Sequence, residues 1–184
     1  MNELILILVL LTGIVMIKAV WIFTDRTPLR KTAKKELIKS NILELSILLL
    51  QALAAIIFPL PSTFLDAWMI YIGIFLYSLG IFFAVWGRIS LSDTWGHPGK
   101  QVKDFQTKLI TENAFSISRN PIYLGFLFIF FGYALAIRSI LIILRIPLLL
   151  YFYRSIITEE KLLTKQFGKQ YKAYMKRVPR FLFI

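Results

Sequence analysis

The longest apolar segment of the chain is PIYLGFLFIFFGYALAIRSILIILRIPLLLYFYRSIITEE, residues 121–160. It contains two apolar runs, 121–137 and 139–157, which meet at Arg138 and Ser139. A single helix through both runs would be roughly 50 Å long, whereas the hydrocarbon core of a bilayer is about 30 Å thick. The stretch therefore predicts two membrane-spanning helices that are joined by a tight hairpin at Arg138 and Ser139.

The rest of the chain has the same apolar character. Of the 184 residues, 58% are hydrophobic and only 17% are charged, which is more apolar surface than a soluble domain of this size can bury. Further apolar runs cover residues 3–23, 41–60 and 64–86, each near the ~20 residues that a spanning helix needs. We therefore expect an all-α integral membrane protein, one domain over residues 1–184, with five transmembrane helices.

The distribution of cations predicts the orientation. The chain has 22 Lys and Arg against 10 acids, a formal net charge of +12. With five spans, an outside N-terminus and an inside C-terminus, 19 of the 22 cations lie on one side, in residues 24–40, 87–120 and 154–184. The positive-inside rule identifies that side as the cytosol. Orientation and contact with membrane lipids thus account for the basic composition, and no nucleic-acid partner is predicted.

Two scarce residue types exclude several kinds of chemistry. The chain has no Cys, which excludes disulfides, Cys nucleophiles and thiolate metal sites. It has one His, so a His-rich metal centre is excluded and a Ser-His-Asp triad would have to be built around His97. No metal is predicted.

The cytosolic loop 87–120 is one half of the expected site. It ends at Asn120, a good helix cap, and Pro121, which suits the first turn of the fourth span. Free N–H groups and the positive end of that helix favour a bound anionic group.

The cytosolic tail, residues 158–184, is the other half. Its apolar and basic residues alternate at three- and four-residue steps, which predicts an amphipathic helix with a weak point at Gly168. Such a helix can lie on anionic lipid, but the acids Glu159 and Glu160 do not serve that purpose. They are suited to hold a cationic ligand group, because a carboxylate near a membrane is weakly screened.

These polar segments resemble the isoprenylcysteine carboxyl methyltransferase family. Residues 108–111 and 119–125 are similar to its "LVT-x-G-x-Y…RHP-x-Y-x-G" block, and residues 159–179 are similar to its "EE-x-x-L-x-x-x-FG-x-x-Y-x-x-Y" block. The segment LSDTWG, residues 91–96, looks like the "LG-x-x-W" element that comes before them. The resemblance covers roughly the last half of the chain.

The resemblance implies an integral-membrane methyltransferase with a cytosol-facing site that uses S-adenosylmethionine and releases S-adenosylhomocysteine. It implies a lipophilic acceptor that enters from the bilayer, most simply a carboxylate of an isoprenylcysteine-like or prenylated substrate. Arg154, with Arg145, would attract the acidic group of that acceptor. The implied cofactor contacts are Gln101, Thr107, Lys108, Leu109, Ile110, Phe115, Asn120, Pro121, Ile122, Tyr123 and Glu159.

The chain departs from the family pattern at four positions. Asn120 stands where the family has His, and Phe115 stands where it has Tyr. Asn113 replaces a Gly, and Asn tolerates left-handed backbone geometry. The substrate-associated Arg of the family aligns with Ser155, while Arg154 is one position away. The acceptor site therefore departs further from the family than the cofactor site does.

Other acceptors and other classes of protein also agree with the sequence. Phospholipid amines and small thiols are alternative acceptors, although an amine must first lose a proton and the sequence offers only His97 as a base. A membrane reductase that binds NADPH and a non-enzymatic membrane scaffold are the alternatives from other classes. The sequence gives no indication of the oligomeric state.

Overall fold

The computed structural model describes residues 3–24, 31–91 and 108–182. Within these ranges the chain is helical and contains no strand. Its α-helices are α1 (Glu3–Thr24), α2 (Lys31–Ile57), α3 (Asp66–Leu91), α4 (Pro121–Ala136), α5 (Arg145–Phe167) and α6 (Lys169–Arg177). Short 3-10 helices cover Asn113–Ser116 and Ile140–Leu144.

All five predicted spans fall in apolar helices, but these helices differ in length. Among the described residues, three segments are long and apolar enough to cross a membrane: Leu4–Trp21, Asp66–Leu91 and Ile140–Phe167. The apolar helices Leu45–Ile57 and Pro121–Ala136 are shorter. The all-helical fold is thus confirmed, with three candidate membrane-spanning helices among the described residues, while the count of five spans and their orientation stay predictions.

Several helix boundaries differ from the prediction because hydropathy marks apolar residues and not helix ends. The predicted loop 24–40 is helical from Lys31, where α2 begins. The fifth span and the start of the tail form one helix, α5, which continues to Phe167. Glu159 and Glu160 therefore lie well inside α5 rather than at the start of a separate tail helix.

The hairpin between the fourth and fifth spans lies where it was predicted. Arg138 adopts a left-handed backbone conformation with φ of 51°, and it separates α4 from the 3-10 helix. Its guanidinium donates to the Leu60 carbonyl at 2.8 Å and forms a 3.0 Å ion pair with Asp66. These contacts join the 137–144 connection to the 58–65 connection, and we call this end of the bundle the hairpin end.

A glycine seam brings α3 and α4 into close antiparallel contact. A Cβ atom at Gly80 would lie 2.6 Å from the Ile129 backbone nitrogen, so a larger residue would force the backbones apart. Small residues permit this kind of close approach between membrane helices. The glycines recur at seven-residue steps on both helices: Gly73, Gly80 and Gly87 on α3, and Gly125 and Gly132 on α4.

Buried polar side chains link α2 to the start of α5 near the hairpin end. Arg145 is 1% exposed, donates to the Gln51 side chain and lies 5.0 Å from the centre of the Phe130 ring. Gln51 in turn donates to the Leu141 carbonyl at 2.9 Å, and Ser139 donates to the Gln51 carbonyl at 3.3 Å. These contacts give polar groups inside the bundle the hydrogen bonds that an apolar environment requires.

Candidate functional site

A hydrogen bond joins the start of α4 to the middle of α5. The Tyr123 hydroxyl donates to Glu159 Oε1 at 2.6 Å. Tyr123 is buried and Glu159 is half-buried. Ser155, one helical turn before Glu159, also contacts the Tyr123 hydroxyl, and the Phe152 ring lies edge-on to Tyr123 at 5.5 Å. A carboxylate is thus held beside aromatic side chains, and we call this end of the bundle the site end.

The neighbouring acid, Glu160, is the centre of a buried ion cluster. Its side chain is 8% exposed and pairs with Arg180 at 2.8 Å and with Arg119 at 3.3 Å. Asn120 Nδ2 also donates to Glu160 Oε1, at 3.4 Å. Hydrogen bonds to Glu160 hold the pKa of Arg180 above its ordinary value. We refer to Arg119, Asn120, Glu160 and Arg180 as the Glu160 cluster.

The C-terminal segment, residues 178–182, returns over the start of α4. The Arg119 backbone N–H donates to the Pro179 carbonyl at 3.0 Å. The Arg180 carbonyl accepts from Ser118 Oγ at 3.1 Å and from Asn120 Nδ2 at 3.2 Å. Backbone carbonyls of this segment thus hold the residues that precede α4, while the Arg180 side chain binds Glu160 on α5.

The loop before α4 packs on the inner face of α6. The Tyr174 hydroxyl donates to the Phe115 carbonyl at 2.6 Å, and Leu109 packs against Tyr171 and Tyr174. Burial raises the pKa of both tyrosines, so they stay protonated at neutral pH. The apolar face of α6 is therefore used inside the protein, which corrects the alternative of a helix lying with that face on lipid.

Local backbone geometry confirms two further expectations. Asn113, which replaces the Gly of the family pattern, has a positive φ of 54°. Gly168 has a φ of 52° and separates α5 from α6, at the position where the sequence predicted a weak point in the tail helix. Glycine adopts a positive φ without a steric cost, and asparagine does so more readily than most other residues.

The structure brings three of the predicted cofactor residues together at one end of the bundle. Asn120 and Tyr123 contact the acid pair of α5 directly, through Glu160 and Glu159 respectively. Asn120 was also expected to cap α4, but its side chain makes no capping hydrogen bond and donates to Glu160 and Arg180 instead. The Asn120 amide thus donates to two acceptors outside α4 instead of capping the helix.

The other predicted cofactor residues have varied environments. Pro121 and Ile122 pack against α3 at Gly87, and Pro121 is fully buried, so its side chain serves helix packing. Leu109, Ile110 and Phe115 are half-buried in the loop, while Lys108 is exposed. Gln101, Thr107 and His97 lie outside the described residues.

The two predicted acceptor cations lie apart. Arg145 and Glu159 belong to the same helix but are separated by about 21 Å along its axis, at ~1.5 Å per residue. Arg145 donates to Gln51 and lies against the Phe130 ring inside the bundle, and its role in acceptor binding stays a prediction. Arg154 is exposed on α5, one residue before Ser155.

Sequence reasoning missed the roles of Glu160, Arg119 and Arg180. A signal for Glu160 was present, because Phe152, Ile156 and Glu160 recur every four residues and all three are buried in α5. No comparable signal exists for Arg180, since its ion pair depends on the return of the C-terminal segment. Among the described residues, no group of His, Asp or Glu side chains is arranged to hold a metal.

Comparison with known proteins identifies the family. The family model described as phospholipid methyltransferase matches residues 68–170, more than half of the chain. The protein therefore belongs to this family of membrane methyltransferases, and the resemblance to the isoprenylcysteine carboxyl methyltransferase family is confirmed. No match was found among curated proteins or among solved structures.

Proposed function

We propose that the protein transfers a methyl group from S-adenosylmethionine to a lipophilic acceptor at the site end of the bundle. The single observation that carries the proposal is the 2.6 Å hydrogen bond between Tyr123 and Glu159. This bond joins the first turn of α4, which begins at Pro121, to the acid pair of α5. These two segments are the ones that resemble the family's blocks. A methyltransferase family assignment over residues 68–170 supports the reaction type.

The residues at the site end fit such a cofactor chemically. Glu159 is a half-buried carboxylate, suited to the ammonium of an amino-acid moiety. In the first turn of α4 the backbone N–H groups of Ile122 and Tyr123 precede the first intrahelical bond, which runs from Leu124 to Asn120. Leu109 and Ile110 supply apolar surface for a nucleoside.

Each group has a definite task in this proposal. When bound, S-adenosylmethionine supplies an electrophilic methyl group on a sulfonium. Glu159 binds the ammonium group, and the Tyr123 hydroxyl fixes the rotamer of that carboxylate by donating to it. The aromatic rings of Tyr123 and Phe152 exclude water from one side of the carboxylate, which strengthens its attraction for a cation.

A carboxylate acceptor agrees with the side chains that are present. Such an acceptor is already ionised at neutral pH and requires no general base. Arg154 is exposed near Ser155 on α5, and we propose that it attracts the acidic group of an isoprenylcysteine-like substrate. The site end faces the cytosol in this proposal, because the basic segments of the chain flank it.

A phospholipid amine is the second candidate acceptor, and the description of the matched family favours it. Transfer to an amine requires the nitrogen to lose its proton, whereas transfer to a carboxylate does not. The two acceptors give products of different chemical stability, since a methyl ester is cleaved by mild base and an N-methyl group is not.

The test is methyl transfer by purified protein in lipid nanodiscs. Labelled S-adenosylmethionine is supplied with either a farnesylated cysteine that has a free carboxylate or phosphatidylethanolamine. We expect base-labile label in the farnesylated acceptor. Base-stable label in the phospholipid would instead establish the second candidate. No transfer to any lipid, with intact binding of NADPH, would overturn the proposal in favour of a reductase.

A pair of tyrosine variants connects this activity to the site. Tyr123→Phe removes the hydroxyl that donates to Glu159, and we expect the KM for the methyl donor to rise about tenfold. Tyr71→Phe is the matched control, because Tyr71 is 69% exposed on α3. Equal kinetics for both variants would remove Tyr123 from the site.

A further inference from the structure

The C-terminal segment lies beyond the region that the family model matches. The match ends at residue 170, whereas residues 178–182 return over the start of α4. Arg180 is the residue of this segment with the most polar contacts, since its carbonyl accepts two hydrogen bonds and its guanidinium binds Glu160. The segment therefore touches the site through residues that the family assignment does not account for.

The guanidinium of Arg180 holds Glu160 in one orientation. Nη2 donates to Glu160 Oε2 at 2.8 Å, and Nε lies 3.2 Å from both carboxylate oxygens. The other face of the group lies 5.7 Å from the centre of the Tyr153 ring. A planar fork of donors restricts the rotation of a carboxylate more than a single point charge does.

Holding Glu160 also sets the direction of Glu159. Successive residues of an α-helix point about 100° apart, because a turn contains 3.6 residues. When Glu160 is held toward Asn120 and Arg180, the rotation of α5 about its axis places Glu159 against Tyr123. The orientation of the proposed cofactor carboxylate thus depends on an ion pair that does not itself touch the cofactor.

We propose that Arg180 is a positioning residue, which acts through Glu160 and Asn120 to hold Tyr123 and Glu159 in the geometry that binds the methyl donor. This inference rests on the proposed function. Arg119 stays paired with Glu160 when Arg180 is replaced, so the buried carboxylate does not become an isolated charge. The variant Arg180→Gln is therefore expected to fold.

The experiment compares two ion pairs at opposite ends of the bundle. Arg180→Gln breaks the pair at the site end, and Arg138→Gln breaks the 3.0 Å pair with Asp66 at the hairpin end. Binding of S-adenosylmethionine and thermal unfolding are measured for each variant in detergent. We expect Arg180→Gln to raise the donor Kd about tenfold, and Arg138→Gln to lower Tm with the Kd unchanged.

A third variant separates positioning from a general loss of stability. Arg180→Lys keeps the positive charge but loses the planar set of N–H donors that binds both carboxylate oxygens. The Kd for the methyl donor should therefore lie between those of the wild type and Arg180→Gln. A Kd that stays within twofold of wild type in folded Arg180→Gln would overturn the proposal, as would an equal effect of Arg138→Gln. If the wild-type protein binds no donor, the proposed function fails first, and the positioning role fails with it.

Discussion

Among the described residues, two polar networks hold arginine side chains in different ways. Near the hairpin end, Arg145 binds the neutral amide of Gln51 and faces the Phe130 ring. At the site end, Arg119 and Arg180 share the carboxylate of Glu160, and the preceding residue, Glu159, supplies a second carboxylate that is half-buried.

The difference shows which kind of buried charge points to a site. Gln51 and Ser139 bind only groups of the bundle itself, so the network around Arg145 satisfies polar atoms within the fold. In the Glu160 cluster, one buried carboxylate is shared by two arginines, and the adjacent half-buried Glu159 accepts a hydrogen bond from the Tyr123 hydroxyl. Burial of an arginine alone therefore does not indicate function.

Removal of Glu160 should have the largest effect. Glu160→Ala leaves Arg119 and Arg180 without their shared carboxylate, a change that costs about 3–5 kcal/mol for a buried pair. We expect a large fall in Tm together with loss of donor binding. Asp66→Ala at the hairpin end is the control, and it should destabilise the protein without weakening donor binding. Equal loss of binding in both variants would show that the two ends do not differ.

The Arg145 network should affect stability alone. Gln51→Leu removes the acceptor of the Arg145 guanidinium and the donor to Leu141, which should cost about 1–3 kcal/mol. Thermal unfolding in detergent should show this loss, while the donor Kd and the acceptor KM stay at the wild-type values. A raised acceptor KM would instead support the predicted role of Arg145 in acceptor binding.

The packing of α6 should give the smallest effect. Tyr174→Phe removes one hydrogen bond to the Phe115 carbonyl, worth about 1 kcal/mol. Burial raises the pKa of Tyr174, so above about pH 10 the unfolded state loses its proton first and stability falls as pH rises. The fall in Tm between pH 8 and pH 10.5 should therefore be smaller for Tyr174→Phe than for the wild type. An identical pH dependence would show that this tyrosine is not buried.

The sequence predicted the helical hairpin because a long apolar stretch cannot cross a bilayer as one helix, and Arg138 and Ser139 were its only break. It also predicted that Asn120 and Tyr123 would meet the acid pair, through the resemblance of both segments to one family. Helix ends such as Lys31 and Phe167 were not predictable, because polar helical turns continue past the apolar residues.

The Glu160 cluster depends on contacts that no local pattern encodes. Arg180 and Arg119 are far apart in the sequence, and their meeting at Glu160 requires the C-terminal segment to return over the start of α4. The glycine seam was not predicted either, because the close contact of its backbones depends on the pairing of α3 with α4.

Calorimetric binding of S-adenosylmethionine to the wild type and to Glu159→Gln in nanodiscs tests whether Glu159 holds the donor. We expect micromolar binding by the wild type and at least about tenfold weaker binding by the variant, because a neutral amide binds an ammonium group more weakly than a carboxylate does. Glu112→Gln, an exposed acid in the loop before α4, should bind as the wild type does. Unchanged affinity in Glu159→Gln would contradict the claim that this carboxylate holds the donor.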